Sequence, residues 1–392
     1  MRCASESASL PEIECIEMLE KIEDAYARQF GVPPFNVSYW DPSDEFITGM
    51  LSHLEVPTLG ALVSYRFSYQ IKEVNPVILK LGGVADLHGG LFTPSSTSSI
   101  LCVLNWLKSR KKTKIIAMCP AYFSLFQACR RFSLTIQGAY MKRRNGGFAL
   151  PSPDSRIWRE PSVLWLTSPV YSAGVYFSTA DVLFLGDLLK SGWTVIADEC
   201  LALPGHELIR KLGQHPNFVS IYSPHKGVCI NGIKFSAILF NQRHLGFMER
   251  WADVWYGGIG YSSSLAIQHF LSSNFDVYLA RFLQTIAQQQ KMVGQLCAGD
   301  HIEMDDEALG HFVSCYFPTI SSRLGNSRRF LEQLVNTTGG SIITGNRSRF
   351  SREVGFSFRI NLARGGPRFQ SSLARIVGYV SAQAIQDFAV TA

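Results

Sequence analysis

Short apolar runs alternate with helical patterns through the middle of the chain. Helical patterns over residues 124–132 and 180–190 separate several of these runs. The runs are at residues 115–119, 163–167, 194–197, 218–222 and 235–240. Alternation of this kind is typical of a mainly parallel sheet with helices on both faces. The pattern therefore predicts an α/β fold.

The pattern changes after residue 262. A long helical segment over residues 276–297 leads to shorter strand patterns at 311–317 and 354–362, with a helix near 327–335 between them. This order predicts a connecting helix and a smaller α+β domain, and 392 residues are enough for two domains. We expect an N-terminal segment packed on the small domain, a large domain, and a connecting helix with the small C-terminal domain: residues 1–50, 51–270 and 271–392.

The composition of the chain favours a second copy of the chain over nucleic acid as a binding partner. Charged residues make up 17% of the chain and hydrophobic residues 46%, so we expect part of the surface to be covered by a second copy of the chain. The net charge of +6 is modest. Basic clusters at residues 108–114 and 141–144 are more typical of solvated faces than of nucleic-acid contacts.

The cysteines and the lengths of the apolar runs indicate the cellular compartment of the protein. The nine cysteines are odd in number and include no CxxC pair, which indicates neither a zinc site nor a complete disulfide framework. No apolar run approaches the ~18 residues that span a bilayer, and the N-terminus lacks the pattern of a signal peptide. We therefore expect a soluble cytoplasmic protein without bound metal.

Chemically informative residues follow the apolar runs, and open α/β sheets bind ligands beyond the carboxyl ends of their strands. Lys226 comes after the run at 218–222. A desolvated lysine amine there is nucleophilic and suits a covalent bond to an aldehyde cofactor, although a solvated loop lysine has the same pattern. Asp198 ends the run at 194–197, and its carboxylate suits a protonated pyridine nitrogen or the cap of a following helix.

An aromatic residue and a cluster of hydroxyl residues are further candidates for ligand binding. Tyr122 comes after the run at 115–119, where its ring suits a flat cofactor or core packing. Ser96, Thr97 and Ser98 precede an apolar helical pattern at residues 100–107. Hydroxyls and free N–H groups at a helix start bind anions such as phosphate, and they also serve as ordinary N-caps.

Together these residues resemble the fold type I pyridoxal-phosphate enzymes, the aspartate aminotransferase superfamily, in its class I/II branch. The resemblance covers roughly residues 60 to 365 and rests on the order and spacing of motifs that are individually weak. It implies a large domain with a mostly parallel seven-stranded sheet between helices, a smaller α+β C-terminal domain and bound pyridoxal 5'-phosphate.

The resemblance implies a role for each matching residue. Lys226 corresponds to the lysine that forms a Schiff base with the cofactor, Asp198 to the partner of the pyridine nitrogen, and Tyr122 to the ring-stacking aromatic. Arg359 corresponds to the arginine that grips the substrate α-carboxylate through two parallel hydrogen bonds; a structural salt bridge is the alternative. The implied phosphate ligands are Ser96, Thr97, Ser98, Ser223 and Lys234, the last of which replaces an arginine.

Two positions depart from the family pattern around the cofactor's phenolic oxygen. Tyr171, in the segment 168–174, takes the place of an asparagine, and Leu201 takes the place of a tyrosine. These changes predict altered electronics at the cofactor. His225 is a second acid/base candidate, for which we favour a packing or hydrogen-bonding role.

The family also completes each active site with residues of a second subunit, which implies a homodimer. Tyr65 is the closest match for the tyrosine that reaches the neighbouring phosphate, and Tyr69 competes with it. The glycine-rich residues 256–260 match a segment near the partner's site. Trp40 and Asp41 stand where relatives carry a small residue facing the substrate, so they predict an altered substrate pocket or an aromatic contact between domains.

The implied reaction begins with an α-amino acid that displaces Lys226 to form an external aldimine, after which Lys226 removes the α-proton to give a quinonoid. Transamination is the first choice for the outcome. The alternative is β- or γ-elimination, replacement, cyclisation or oxidation by an amino acid oxidase of specialised metabolism. Transcription regulators of this fold carry an added DNA-binding domain, which we do not expect here.

Overall fold

The structure is a computed structural model. It describes residues 11–44, 46, 65–66, 88–144, 147–256, 259–273, 275–299, 302–305, 307–345 and 355–391. The expected boundary between residues 50 and 51 lies outside the described residues.

The secondary structure alternates between strands and helices along most of the described chain. The strands are β1 Phe35–Asn36, β2 Tyr65–Arg66, β3 His88–Thr93, β4 Lys114–Cys119, β5 Thr135–Tyr140, β6 Lys142–Arg144, β7 Gly147–Ala149, β8 Val163–Thr167, β9 Thr194–Glu199, β10 Phe218–Tyr222, β11 Ser236–Asn241, β12 Ile259–Gly260, β13 Glu303–Met304, β14 Phe312–Phe317, β15 Gly340–Ser341, β16 Ile343–Thr344 and β17 Phe356–Asn361. The helices are α1 Pro11–Phe30, α2 Ser96–Ser109, α3 Phe123–Arg131, α4 Thr179–Lys190, α5 Ile209–Leu212, α6 Pro224–Gly227, α7 Leu245–Tyr256, α8 Tyr261–Ser273, α9 Phe275–Leu296, α10 Arg328–Thr338 and α11 Pro367–Thr391.

A seven-stranded sheet of order β3-β11-β10-β9-β8-β4-β5 forms the centre of the large domain. β11 runs antiparallel to both of its neighbours, and the strands from β10 to β5 are parallel to one another. Four central strands have almost only buried residues, which explains their continuous apolar runs. The predicted mainly parallel seven-stranded sheet is confirmed.

The two outer strands, β3 and β5, were not predicted from the pattern of apolar runs. β3 has the sequence HGGLFT, with two glycines in its first half. β5 has the sequence TIQGAY and alternates between exposed and half-buried residues at the sheet edge. β5 buries only part of its surface and so lacks the apolar run of a central strand, whereas in β3 the glycines shorten the apolar run although Leu91, Phe92 and Thr93 are buried.

Helix α2 begins four residues before the predicted apolar pattern. The Ser95 side chain accepts a hydrogen bond from the backbone N–H of Ser98 at 3.1 Å and so acts as the N-cap. Ser96, Thr97 and Ser98 therefore form the first turn of the helix instead of a loop in front of it.

The C-terminal part contains a four-stranded antiparallel sheet of order β13-β14-β17-β16, and α9 leads into it. β1 pairs in parallel with β15, and α1 packs against α10. The N-terminal residues thus lie against the C-terminal domain.

An ion pair links the hairpin β6–β7 to this second sheet. Arg143 Nη2 lies 2.9 Å from Asp305 Oδ1, and the guanidinium is 4.7 Å from the ring centroid of Tyr316. Asp305 is fully buried and also accepts a hydrogen bond from the backbone N–H of Ser314 at 3.0 Å. The contact joins residues 162 positions apart in sequence.

Within the described ranges, no helix is long and apolar enough to cross a membrane. Those ranges also contain no group of three or more His, Cys, Asp or Glu side chains that could hold a metal ion. The cysteines at positions 102, 119, 129, 200, 229, 297 and 315 are buried, and none of them forms a disulfide with another described residue.

We predict that Asp305→Ala lowers the free energy of unfolding by about 3 kcal/mol, because it removes the nearer, fully buried counter-charge of the mostly buried Arg143 and leaves only the half-exposed Glu303, 3.5 Å from Nε. Urea unfolding followed by circular dichroism measures the change. Asp187→Ala is the matched control, since the pair of Asp187 with Lys190 is exposed and its loss costs less than about 1 kcal/mol. Equal losses in the two variants would mean that the Arg143 pair contributes little.

Candidate active site

A cavity of about 320 Å³ contains most of the residues singled out in the sequence. Its lining residues are Trp40, Asp41, Ser96, Thr97, Tyr122, Thr167, Tyr171, Asp198, Cys200, Leu201, Lys226, Asn231 and Lys234. Residues from the ends of β4, β8, β9 and β10 and from the start of α2 meet there, as expected for the carboxyl ends of parallel strands.

Lys226 belongs to α6, a single turn that directly follows β10. Its Nζ donates a hydrogen bond to Ser96 Oγ at 2.7 Å. Ser96 Oγ in turn lies 3.4 Å from Ser223 Oγ, and Ser223 is fully buried. The lysine amine therefore sits beside the first turn of α2.

Asp198 is the penultimate residue of β9, so the strand extends past the predicted run and includes it. It is 5% exposed, and its Oδ1 accepts a hydrogen bond from the backbone N–H of Cys200 at 3.3 Å. Burial raises the pKa of this carboxyl, while hydrogen bonds from Cys200 and the Lys226 cation lower it. This contact with Cys200 is not a helix cap, and an ionised carboxylate so buried favours a cationic partner.

The start of α2 provides the groups expected for an anion. Ser96 and Thr97 line the cavity, and exposed Lys234 lines it from the segment before β11. Ser98 is outside the lining set and bonds to Ser95 through its backbone and its hydroxyl. The Ser/Thr cluster thus contributes both an N-cap and a cavity wall.

Three aromatic side chains form a connected wall. The Tyr171 ring centroid is 5.8 Å from that of Tyr122 and 6.0 Å from that of Trp40. Tyr171 is 2% exposed, whereas Tyr122 and Trp40 are half-buried. Tyr122 is thus part of a ligand-accessible wall and not of the closed core.

The tight turn that carries Tyr171 depends on Gly174. The backbone N–H of Gly174 donates to the Val170 carbonyl at 3.1 Å, and its φ is +70°, a conformation that glycine adopts without strain. A Cβ at this position would lie 2.1 Å from the carbonyl oxygen of Phe312. Only glycine lets this turn pack so closely against β14.

Arg359, on β17, is 1% exposed. Its guanidinium lies beside two contacting rings, 4.4 Å from the centroid of Trp40 and 5.0 Å from that of Phe312. Nε donates to the Ser38 carbonyl at 2.8 Å, while Nη1 and Nη2 have no hydrogen-bond partner among the described residues. No ion pair to Arg359 occurs among the described residues, so the expected alternative of a structural salt bridge is not seen there.

Several lining residues were not predicted as site residues. Thr167 ends β8, and its buried Oγ1 has no hydrogen-bond partner in the part of the chain that the structure describes. The rule of looking at strand ends would have found Thr167 and also Cys200. Asn231 had no signal in the sequence; its Nδ2 donates to the Trp40 carbonyl at 3.1 Å. Leu201 also lines the cavity.

The residues predicted to reach the neighbouring subunit's site are described only in part or not at all. Tyr65 belongs to β2, which pairs antiparallel with β12, and only its backbone is described. Tyr69 and residues 257–258 lie outside the described residues.

His225 is fully buried beside Lys226 and is not among the lining residues. Its Nε2 lies 3.0 Å from the Ile233 carbonyl, to which it donates, and its Nδ1 has no hydrogen-bond partner within the described ranges. Burial, with a smaller effect of the Lys226 cation, lowers the pKa of His225 to about 3. These contacts are those of a neutral packing residue.

No model of a known protein family and no curated protein sequence matches the chain. Solved structures are similar over nearly their whole length. YbdL from Escherichia coli, with a methionine aminotransferase function, shares 13% identity with a TM-score of 0.72, covering 95% of this chain and 98% of its own. N-succinyldiaminopimelate aminotransferase from Mycobacterium tuberculosis shares 16% with a TM-score of 0.69, covering 92% and 96%.

A kynurenine aminotransferase from Pyrococcus horikoshii, solved in complex with PMP, shares 11% identity with a TM-score of 0.73, covering 97% of this chain and 96% of its own. At such low identity the likeness concerns the fold. The chain therefore has the fold type I architecture of these aminotransferases, as the sequence predicted.

We predict that His225→Gln changes how the free energy of unfolding depends on pH below about pH 7. The folded-state pKa of His225, about 3, is below its ordinary value of about 6.5, so the neutral ring contributes stability above about pH 6.5. That contribution falls as the pH drops toward 3, with a slope of up to about 1.4 kcal/mol per pH unit. His225→Gln should therefore lose less stability than the unmodified protein between about pH 7 and 5.

Urea unfolding at a series of pH values checks this. His206→Gln, at an exposed histidine, is the control and should keep the pH dependence of the unmodified protein. If the free energy of unfolding depended on pH in the same way in all three proteins, the claim that His225 is buried in its neutral form would be wrong.

Proposed function

We propose that the protein is a pyridoxal-phosphate-dependent enzyme that acts on an α-amino acid, with transamination as its reaction. One observation carries the proposal: the same cavity contains the Lys226 amine, the buried Asp198 carboxylate and the first turn of α2. Each is a group that this cofactor needs, for its aldehyde, its ring nitrogen and its phosphate. The fold shared with aminotransferases supports the same conclusion.

The lining residues fit the cofactor in polarity and size. A volume of about 320 Å³ is within the range of small-molecule sites. Buried donors without a hydrogen-bond partner among the described residues are Thr167 Oγ1, which lines the cavity, and Nη1 and Nη2 of Arg359, which is not a lining residue but packs on Trp40, which is. Because unpaired buried donors are costly, their presence indicates that a bound ligand supplies the acceptors.

We assign the cofactor contacts as follows. Lys226 Nζ makes the covalent bond, Asp198 pairs with the protonated ring nitrogen, and Tyr122 lies on the ring. Tyr171 contacts the phenolic oxygen in place of the family's asparagine. The proposed phosphate ligands are Ser96, Thr97, Ser98, Ser223 and Lys234.

The bound cofactor withdraws electrons from the α-carbon of the amino acid. Lys226 Nζ, once released, accepts the α-proton as a neutral amine, and the neighbouring hydroxyl of Ser96 holds it in position through the 2.7 Å contact. Asp198 must stay ionised to perform its role. Its hydrogen bonds from Cys200 favour that state against the cost of burial.

Arg359 is the proposed ligand of the α-carboxylate. Its two partnerless Nη atoms present the fork that a carboxylate matches. The guanidinium packs against the edge-on pair of rings of Trp40 and Phe312, and the Nε bond to Ser38 fixes its orientation. A preoriented guanidinium loses little freedom when it binds.

One observation favours a second candidate reaction. Leu201 lines the cavity where the family carries a tyrosine, so one donor to the phenolic oxygen is missing. Loss of that donor changes the electron distribution after α-proton removal. Elimination or replacement at the β- or γ-carbon, cyclisation and oxidation share the same early residues, and they form the second candidate.

We also propose a homodimer with shared active sites, to which Tyr65 or Tyr69 contributes from the neighbouring subunit. Two apolar residues at the end of α7, Val254 and Trp255, are 74% and 45% exposed. This helix is close in sequence to β12, the pairing partner of β2. Exposed apolar residues next to a proposed site-completing segment support a covered surface there.

We predict that protein saturated with pyridoxal phosphate is yellow and that Lys226→Ala removes this absorption band, because the covalent bond needs the amine. Borohydride reduction followed by peptide mass spectrometry should place the label on Lys226. Lys190→Ala, at an exposed lysine, should retain the band. A label on another peptide, or a colourless protein, contradicts the proposal.

We predict that incubation with a panel of amino acids yields oxo acids and the aminated cofactor, because transamination is the commonest outcome on this fold. The panel includes amino acids with good β- and γ-leaving groups. Absorption spectra and mass spectrometry of the products measure the outcome. Released leaving group or consumed oxygen, with the aldehyde form retained, would instead establish the second candidate.

A further inference from the structure

One charged residue that lines the cavity has no role in the proposed function. Of the lining residues, those with charged side chains are Asp41, Asp198, Lys226 and Lys234. In the proposed function, the last three serve the cofactor's ring nitrogen, aldehyde and phosphate. Asp41 remains as the one charged lining group available to the substrate side chain.

Asp41 is on a well-anchored stretch of backbone. The carbonyl of Trp40 accepts a hydrogen bond from Asn231 Nδ2 at 3.1 Å, and the carbonyl of Asp41 accepts one from Arg364 Nη1 at 2.9 Å. The backbone N–H of Ser43 donates to the Ala363 carbonyl at 3.0 Å. The segment is thus fixed on one side by the loop after Lys226 and on the other by the residues after β17.

The Asp41 carboxylate itself is exposed and takes part in no ion pair among the described residues. Arg364 is the neighbouring cation, and its charge interacts with the Asp41 carboxylate through space. Its hydrogen bond goes to the Asp41 backbone through Nη1, and its guanidinium lies 5.1 Å from the ring centroid of Phe35. The carboxylate oxygens therefore remain open to a ligand in the cavity.

The aromatic rings that line the cavity with Asp41 already have partners. In the proposed function Tyr122 lies on the cofactor ring and Tyr171 contacts its phenolic oxygen, and the Arg359 guanidinium lies 4.4 Å from the ring centroid of Trp40. The preference of this wall for one sign of charge therefore comes from the Asp41 carboxylate, which attracts cations and repels anions. With the α-carboxylate at Arg359 and the α-amine at Lys226, the side chain is the part of the substrate left for Asp41.

We propose that Asp41 selects α-amino acids whose side chain ends in a cation, a guanidinium or an ammonium group, and that it discriminates against acidic side chains. The inference rests on the proposed function, since it takes Lys226 and Arg359 as the sites of the amine and the carboxylate. A neutral aromatic amino acid is the rival occupant of the same wall.

The test compares two unreactive ligands of nearly the same shape, the desamino analogues of arginine and citrulline. They differ in the charge of the side-chain end, and neither carries an amine that reacts with an aldehyde. Isothermal titration calorimetry of the cofactor-loaded protein measures both dissociation constants. We expect the guanidino acid to bind about 10-fold to 100-fold more tightly, the range for a hydrogen bond to a charged group.

Asp41→Asn should bring the ratio of the two dissociation constants close to one, because it removes the charge and retains the size of the side chain. Asp44→Asn is the matched control, an exposed acid in the same segment that is not among the lining residues, and it should preserve the ratio. A ratio near one in the unmodified protein overturns the proposal, and so does an unchanged ratio in Asp41→Asn. Tighter binding of desamino-phenylalanine than of the guanidino acid would assign the rival class.

Failure of this inference is separable from failure of the proposed function. If Lys226 carries the borohydride label and the charge of the ligand has no effect, only the role of Asp41 is wrong. If Lys226 carries no label, the proposed function fails before substrate choice arises.

Discussion

The register between β9 and β10 is the constraint on which the candidate active site depends. Asp198 pairs with Ile221, and Glu199 pairs with Tyr222, so the carboxylate and the turn with Lys226 reach the same edge of the sheet. Successive strand residues point to opposite faces, which turns Glu199 away from Asp198. Glu199 is buried and accepts hydrogen bonds from the backbone N–H groups of Leu208 and Ile209 and from Ser220 Oγ. One residue thus contributes to the cavity while the next anchors the loop behind it, and a one-residue slip would exchange their positions.

The sequence predicted the central sheet because its strands are buried on both faces and carry uninterrupted apolar runs. Lys226, Asp198 and Tyr122 were found for a related reason, since parallel strands bring their carboxyl ends to one edge. Thr167 satisfies the same criterion and was overlooked because a threonine at a strand end has no distinctive chemistry. The edge strands β3 and β5 were missed because glycine and polar residues interrupt their pattern.

The remaining wall of the cavity was beyond prediction because it depends on contacts between distant parts of the chain. Arg359 bonds to Ser38, 321 positions away, and the pairing of β1 with β15 is similarly remote. Amphipathic patterns locate strands and helices but carry no information on which segments meet. That Trp40 packs against Arg359, and that Asp41 borders the lysine-bearing loop, required the structure.

The anchoring of residues 37–43 has an evolutionary consequence. The carbonyls of Val37, Tyr39, Trp40 and Asp41 accept hydrogen bonds that hold this stretch, so much of its attachment depends on backbone atoms that every residue type possesses. The side chains of Ser38 and Tyr39 also anchor it, whereas that of Asp41 makes no hydrogen bond among the described residues, so the residue at position 41 can be exchanged while the backbone retains its path. The groups proposed for catalysis belong to another part of the chain, so lineages that share this architecture can acquire new nutrients or metabolites as substrates through changes in a few neighbouring codons.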